Sequence, residues 1–197
     1  MALDRGSPLA LTVLTLLNHQ PLHPYGIQRL LKQWGKDLVV NVGQRAGLYR
    51  TIDRLGEAGL IRVRETGRDQ QYPERTVYEI TDAGRERLLT WMDDMLSRPK
   101  QEFPQFPAAL ANAMLLGPGG LADALERRAA AVERTLAELE SGLAEEGLPR
   151  VTMLECEYLR EVTAAEARWL RAVIADLREG RIEWSREQLE EVSAARE

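Results

Sequence analysis

The sequence predicts a mainly α-helical chain with one small β-hairpin, in two parts. Three observations carry this. Apolar periodicity over residues 1–97 runs helix, helix, helix, hairpin, helix. A proline-rich stretch, 98–107, then interrupts any continuous helix, because proline lacks an N–H and clashes with the preceding turn. Beyond it, over 108–197, apolar residues recur at alternating intervals of three and four, the spacing of a helical seam.

Ser7-Pro8 predicts the first helix start, with serine as cap and proline at the first helical position. Leu9, Leu11, Val13, Leu14, Leu16 and Leu17 make that helix almost wholly apolar, so it must be buried on several sides. The second helix opens at Pro24. Its stripe is Ile27, Leu30, Leu31 and Trp34, and Gly35 is its expected end. The third runs from about Gln44 to Ala58, with Leu48, Ile52 and Leu55 on the core face and Gly59 at a left-handed end. Ala46, Arg50, Asp53, Arg54 and Glu57 point away, with Tyr49 on the flank.

Ile61, Val63 and Glu65 alternate with Arg62, Arg64 and Thr66, and Thr76–Ile80 alternates again. The polar segment between them, with Arg68 and Arg75, reads as a hairpin tip. Thr81-Asp82 caps a fourth helix, whose expected apolar face is Leu88, Leu89, Met92 and Leu96. Three helices, a hairpin and a helix make the winged-helix order. In such a domain the third helix fits the major groove and the hairpin reaches the phosphates beside it.

In the second part, Ala108–Leu116 is expected as a short helix ending at Gly117-Pro118-Gly119-Gly120. Ala122, Leu125, Ala129, Val132, Leu136, Leu139 and Leu143 then form a heptad seam. A last helix, from Val151 to about Glu179, gathers Leu154, Tyr158, Val162, Ala165, Trp169 and Val173 on one face, with Leu159, Leu170, Ile174 and Leu177 beside it. Either an intramolecular hairpin or a second chain satisfies such a seam. The expectation is a second chain, with Leu125, Val132, Leu136, Leu139, Leu143, Tyr158, Val162, Trp169 and Val173 as the dimerisation residues. The tail Glu183–Glu197 is charged around Trp184, Leu189 and Val192, and either packs as a short amphipathic helix or frays.

Composition bounds the chemistry. The 197 residues are 44% apolar and 29% charged, ordinary for a globular protein. No apolar run reaches the ~20 residues of a membrane span, and the N-terminus lacks a basic leader with a cleavage site. A cytoplasmic location is expected. Net charge is −5, unevenly spread: residues 1–85 hold 12 Lys+Arg against 9 Asp+Glu, and residues 86–197 hold 14 against 22. A polyanionic partner is therefore expected on the first part. Cys156 stands alone and forms neither an internal disulfide nor a metal cluster. His19 and His23 have metal-binding spacing, but Pro21 and Pro24 interrupt the helix that would align them, and a helix-junction role is expected instead. Gly117-Pro118-Gly119-Gly120 lacks the lysine and preceding strand of a phosphate loop. No catalysis, metal or cofactor is expected.

Three stretches resemble the PadR family of transcriptional regulators: Pro21-Leu22-His23-Pro24-Tyr25-Gly26-Ile27, then Leu48-Tyr49-Arg50-Thr51-Ile52-Asp53-Arg54-Leu55-Gly56-Glu57-Ala58-Gly59-Leu60-Ile61, then Val77-Tyr78-Glu79-Ile80-Thr81-Asp82-Ala83-Gly84. The sequence departs from the family pattern at Pro24, usually glycine, at Gln44-Arg45-Ala46-Gly47, and at Asp53, where a basic residue is common. The resemblance implies a homodimeric, operator-binding regulator, by family habit a repressor, that responds to a small molecule. Candidate DNA contacts are Gln44, Arg45, Tyr49, Arg50, Arg54, Arg68 and Arg75, each with a packing or solvated role as its competitor. Trp34, Trp91, Trp169, Phe103 and Phe106 are candidates for lining an aromatic or amphipathic effector site, with core packing as the competing assignment. The alternative function is a winged-helix module that docks a protein partner, which salt-dependent DNA affinity separates from the first. A MarR-like regulator is the nearer alternative, with the same chemistry and different dimer helices.

Overall fold

The computed structural model describes residues 6–36, 39–40, 45–67, 75–144, 147–185 and 188. The chain divides into two compact units, Met1–Gln101 and Glu102–Glu197.

In the first unit, α1 (Pro8–His19) starts where Ser7 accepts a hydrogen bond from the Ala10 N–H at 3.1 Å. Ala10, Val13, Leu14, Leu16 and Leu17 are buried, so the helix is covered on several sides as its apolar sequence requires. The second helix, α2 (Pro24–Gln33), buries Ile27 and Leu31. Trp34 falls just beyond it and is half exposed, so the expected stripe closes one turn early. The third, α3 (Arg45–Glu57), buries Leu48, Ile52 and Leu55. It ends in a Schellman motif: the Leu60 N–H reaches the Leu55 carbonyl and the Gly59 N–H reaches that of Gly56, each at 2.9 Å. Gly59 sits at φ +69°, where a side chain is strained.

Strands β1 (Ile61–Gly67) and β2 (Arg75–Ile80) pair antiparallel, with Ile61 opposite Ile80 and Val63 opposite Tyr78. The register shifts between Val63 and Glu65. Arg64 is the extra residue, so the expected strict alternation breaks there. Leu22 joins the sheet edge: its N–H reaches the Tyr78 carbonyl at 3.0 Å, and the Tyr78 N–H reaches its carbonyl at 2.9 Å. Helix α4 (Asp82–Ser97) is capped by Thr81, whose hydroxyl accepts from the Gly84 N–H at 3.1 Å and donates to the Gly59 carbonyl at 2.7 Å. Its buried face is Gly84, Leu88 and Trp91. Leu89 and Leu96, expected in the core, are 71% and 81% exposed. The reason lies at Gly84, where a Cβ would overlap the Leu60 carbonyl oxygen. That close approach rolls the helix onto its Gly84–Leu88–Trp91 line.

In the second unit, the stretch expected as a linker is irregular only as far as Pro104. Helix α5 (Gln105–Leu110) begins inside it, with Pro107 in the first turn, where no N–H is needed. A 3-10 turn over Ala113–Leu116 leads straight into α6 (Gly117–Leu143). Gly117-Pro118-Gly119-Gly120 therefore starts a helix and does not separate two. After a 3-10 turn at Arg150–Thr152, α7 (Leu154–Arg178) returns antiparallel to α6. Ala122, Leu125, Ala129 and Val132 of α6 pack with Ala167, Leu170 and Leu177 of α7, and Leu136, Val173 and Ile174 flank them. Four cross-helix pairs fix the register: Arg128–Glu166 at 2.5 Å, Arg171–Glu133 at 2.8 Å, and Arg178 with Asp123 at 2.5 Å and Glu126 at 2.9 Å. Glu133 and Arg171 hold each other with both side chains still largely exposed.

The seam expected to recruit a second chain is thus occupied within this one. Leu125, Val132 and Leu139 are buried, and Leu136, Leu143 and Val173 partly so. Tyr158, Val162 and Trp169 lie on a flank of α7 beside its buried face and stay exposed. Spacing alone fixes that a seam is covered, and not by which chain.

Candidate nucleic-acid interface

The site is built from α3 and the hairpin. Burial of Leu48, Ile52 and Leu55 turns Ala46, Tyr49, Arg50, Asp53, Arg54 and Glu57 outward. Tyr49 is half exposed. The Arg50 and Arg54 Nε groups donate to the carbonyls of Ala46 at 3.1 Å and Arg50 at 3.4 Å. Both side chains therefore lie back along the helix toward its N-terminal end. Thr51, on the covered side, donates its hydroxyl to the Gly47 carbonyl. Ala46 and Gly47 are small, and a Cβ at Gly47 would meet open space, so the first turn presents little bulk to an approaching surface.

The hairpin carries two positive side chains of its own. Arg62 meets Glu79 at 2.7 Å and Arg64 meets the same carboxylate at 3.8 Å, both guanidiniums being largely exposed. Two guanidiniums thus share one carboxylate, and Glu65 of β1 balances the second positive charge. Beside it, burial, then the Asp53 carboxylate and then Tyr49 push the Tyr78 phenol above its ordinary value. That hydroxyl stays protonated, and Tyr78 links α3 to the sheet. The start of α2 is pinned by His23, whose Nδ1 accepts from the Gly26 N–H at 2.9 Å, and His23 stacks on exposed Tyr25 at 6.0 Å. This is the helix-junction role expected of it.

Of the expected contact residues, Tyr49, Arg50 and Arg54 share the outer face of α3. Arg45 and Arg75 open α3 and β2, and only their backbone is described. Gln44 and Arg68 lie outside the described residues. Sequence reasoning passed over Arg62 and Arg64 as site residues, although the alternation in β1 already put both on its polar side. Tyr78 was invisible as a neighbour of α3, because only the folded hairpin brings it near Asp53 and Tyr49. Among the expected effector-lining residues, Trp91 is core of the first unit. Phe106 and Trp169 belong to the second, where they meet edge to face at 6.0 Å and the Arg128 guanidinium lies 3.6 Å over the Phe106 ring. No group of His, Cys, Asp and Glu among the described residues is arranged to hold a metal. No helix among them is long and apolar enough to cross a membrane.

A three-helix core, a hairpin wing and an outward arginine-bearing third helix make the layout of a winged-helix domain. Residues 13–90 match the sequence profile of the transcriptional regulator PadR-like family. Members of that family are regulators and not enzymes. The fold is similar to that of Bacillus subtilis PadR in complex with operator DNA, at 19% identity and TM-score 0.69, covering 86% of this chain and 98% of that one. The same protein in complex with p-coumaric acid matches at 18% and 0.65, over 87% and 99%. The Vibrio cholerae virulence activator AphA matches at 20% and 0.62, over 87% and 98%. At these identities the likeness is one of fold. No curated protein sequence matches the chain.

Proposed function

We propose that this protein is a cytoplasmic, homodimeric repressor that binds operator DNA with α3 in the major groove and the hairpin on the flanking phosphates. The observation that carries the reading is the outer face of α3, where Tyr49, Arg50 and Arg54 stand exposed, with Arg62 and Arg64 exposed on the wing strand β1. Arginine pairs with guanine O6 and N7, and wing arginines suit phosphate oxygens. Arg45, Arg75, Gln44 and Arg68 belong to the same proposed contact set.

The dimer reading rests on α7. Leu154, Tyr158, Val162 and Trp169 are exposed large side chains spaced four, four and seven apart along one side. A second copy covering them unites two reading helices, which one duplex turn of ~34 Å would accommodate. In this reading residues 1–97 bind DNA, 98–107 connect, and 108–197 dimerise. Bacillus subtilis PadR has been crystallised with p-coumaric acid. By analogy, an aromatic or amphipathic effector releases this protein from DNA by favouring one dimer geometry.

The test is a titration of the protein against its own promoter-region DNA and random duplex, with wild type and the Arg50→Ala/Arg54→Ala double variant. Preference for promoter DNA that is lost in the variant is the expected result. No preference, or a variant equal to wild type, removes the DNA-reading role and leaves a winged helix that docks a protein.

A further inference from the structure

We propose that Asp53 reads the exocyclic amino group of a cytosine in the major groove and so fixes one base of the operator. This rests on the DNA-reading role of α3 proposed above.

The argument starts from the row Ala46, Tyr49, Arg50 and Asp53. These fall at i, i+3, i+4 and i+7, and all four are exposed. A helix lying in the major groove presents one such row to the base edges. Arg50 in this row only donates hydrogen bonds, and an ionised Asp53 only accepts them.

Asp53 makes no hydrogen bond or ion pair among the described residues, although arginines stand at positions 50 and 54. Their Nε groups are turned to backbone carbonyls. Across the site its charge is felt by the Tyr78 phenol, a neutral group. The carboxylate thus has no structural task that accounts for it on this face.

Lowered between two phosphate backbones, an unpaired carboxylate is repelled unless it meets a donor. The groove floor offers two, cytosine N4 and adenine N6. Adenine carries the N7 acceptor beside N6, which opposes the second carboxylate oxygen. Guanine and thymine present only acceptors or a methyl group there. Cytosine alone offers a donor with no adjacent acceptor. Asp53 therefore rejects three bases as well as accepting one.

The experiment is selection from a randomised duplex library by the full-length protein, comparing wild type, Asp53→Asn and Asp53→Ala. At one position wild type enriches cytosine about tenfold or more over the other bases, the range of one good side-chain–base pair. Asp53→Asn moves that preference to adenine, because an amide pairs with N6 and N7 together. Asp53→Ala levels that position and leaves the others unchanged. Unaltered preferences in both variants overturn the proposal while the DNA-reading role of α3 stands. Loss of preference at every position in the variants also overturns it, since it marks a residue that holds the helix. If wild type enriches no sequence, the DNA-reading role falls and the cytosine contact with it.

Discussion

Thr81 does two jobs with one hydroxyl. It accepts from the Gly84 N–H in the first turn of α4 and donates to the carbonyl of Gly59 at the end of α3. Thr81→Ala removes the cap and leaves that carbonyl without its partner, so a loss of about 1–2 kcal/mol is expected in urea unfolding. A change within a few tenths would show the cap to be redundant. Tyr78 offers a second check at this scale. Its raised pKa means that its contribution to stability is full below the ordinary tyrosine value and is lost as pH rises through the folded value. In an NMR titration Asp53→Asn should bring the Tyr78 pKa down only part of the way, because burial is the larger cause. A full return to the ordinary value would make Asp53 the main cause. The capping residues were legible in the sequence at Ser7, Thr81 and Gly59, since local chemistry decides them. His23 as a cap was not, because histidine is an unusual choice and its Nδ1 acts only once α2 has closed.

At the scale of elements, helices were easier to place than their partners. The core faces of α1 and α3 followed from periodicity. That of α4 did not, since Leu89 and Leu96 sit on its open side while Gly84 nestles under the carbonyl of Leu60. The same ambiguity governed the C-terminal seam. Leu125, Val132 and Leu170 face one another within the chain, and the open side of α7 is the one left for a second copy. The two faces make opposite predictions. Leu170→Ala, at a fully buried position, should cost about 2–5 kcal/mol and lower the unfolding midpoint. Tyr158→Asp with Val162→Asp should leave the helical circular dichroism intact and convert a dimer to a monomer in sedimentation equilibrium. A dimer that survives both aspartates would place the interface elsewhere.

For the molecule as a whole, charge is the organising quantity. The acidic excess lies after residue 85 and the basic excess before it. The net charge of −5 therefore conceals a surface suited to a polyanion. Arg64→Ala on the wing should weaken binding to all duplexes alike and make the slope of log affinity against log salt shallower by about one. An unchanged slope would take Arg64 off the phosphates. The reciprocal Leu22–Tyr78 bonds bear on the order in which the first unit opens. They join the entry to α2 with the second strand across most of that unit's sequence, and they use backbone atoms alone. Leu22 and Tyr78 are only partly buried at the edge of the core, so this junction belongs among the first to open under stress. Side-chain variation cannot erase it, but a proline at either position would. In a deuterium-exchange experiment the Leu22 and Tyr78 amides should lose protection together, ahead of the Leu14–Ile52 core, and unzip the wing from the helices it steadies.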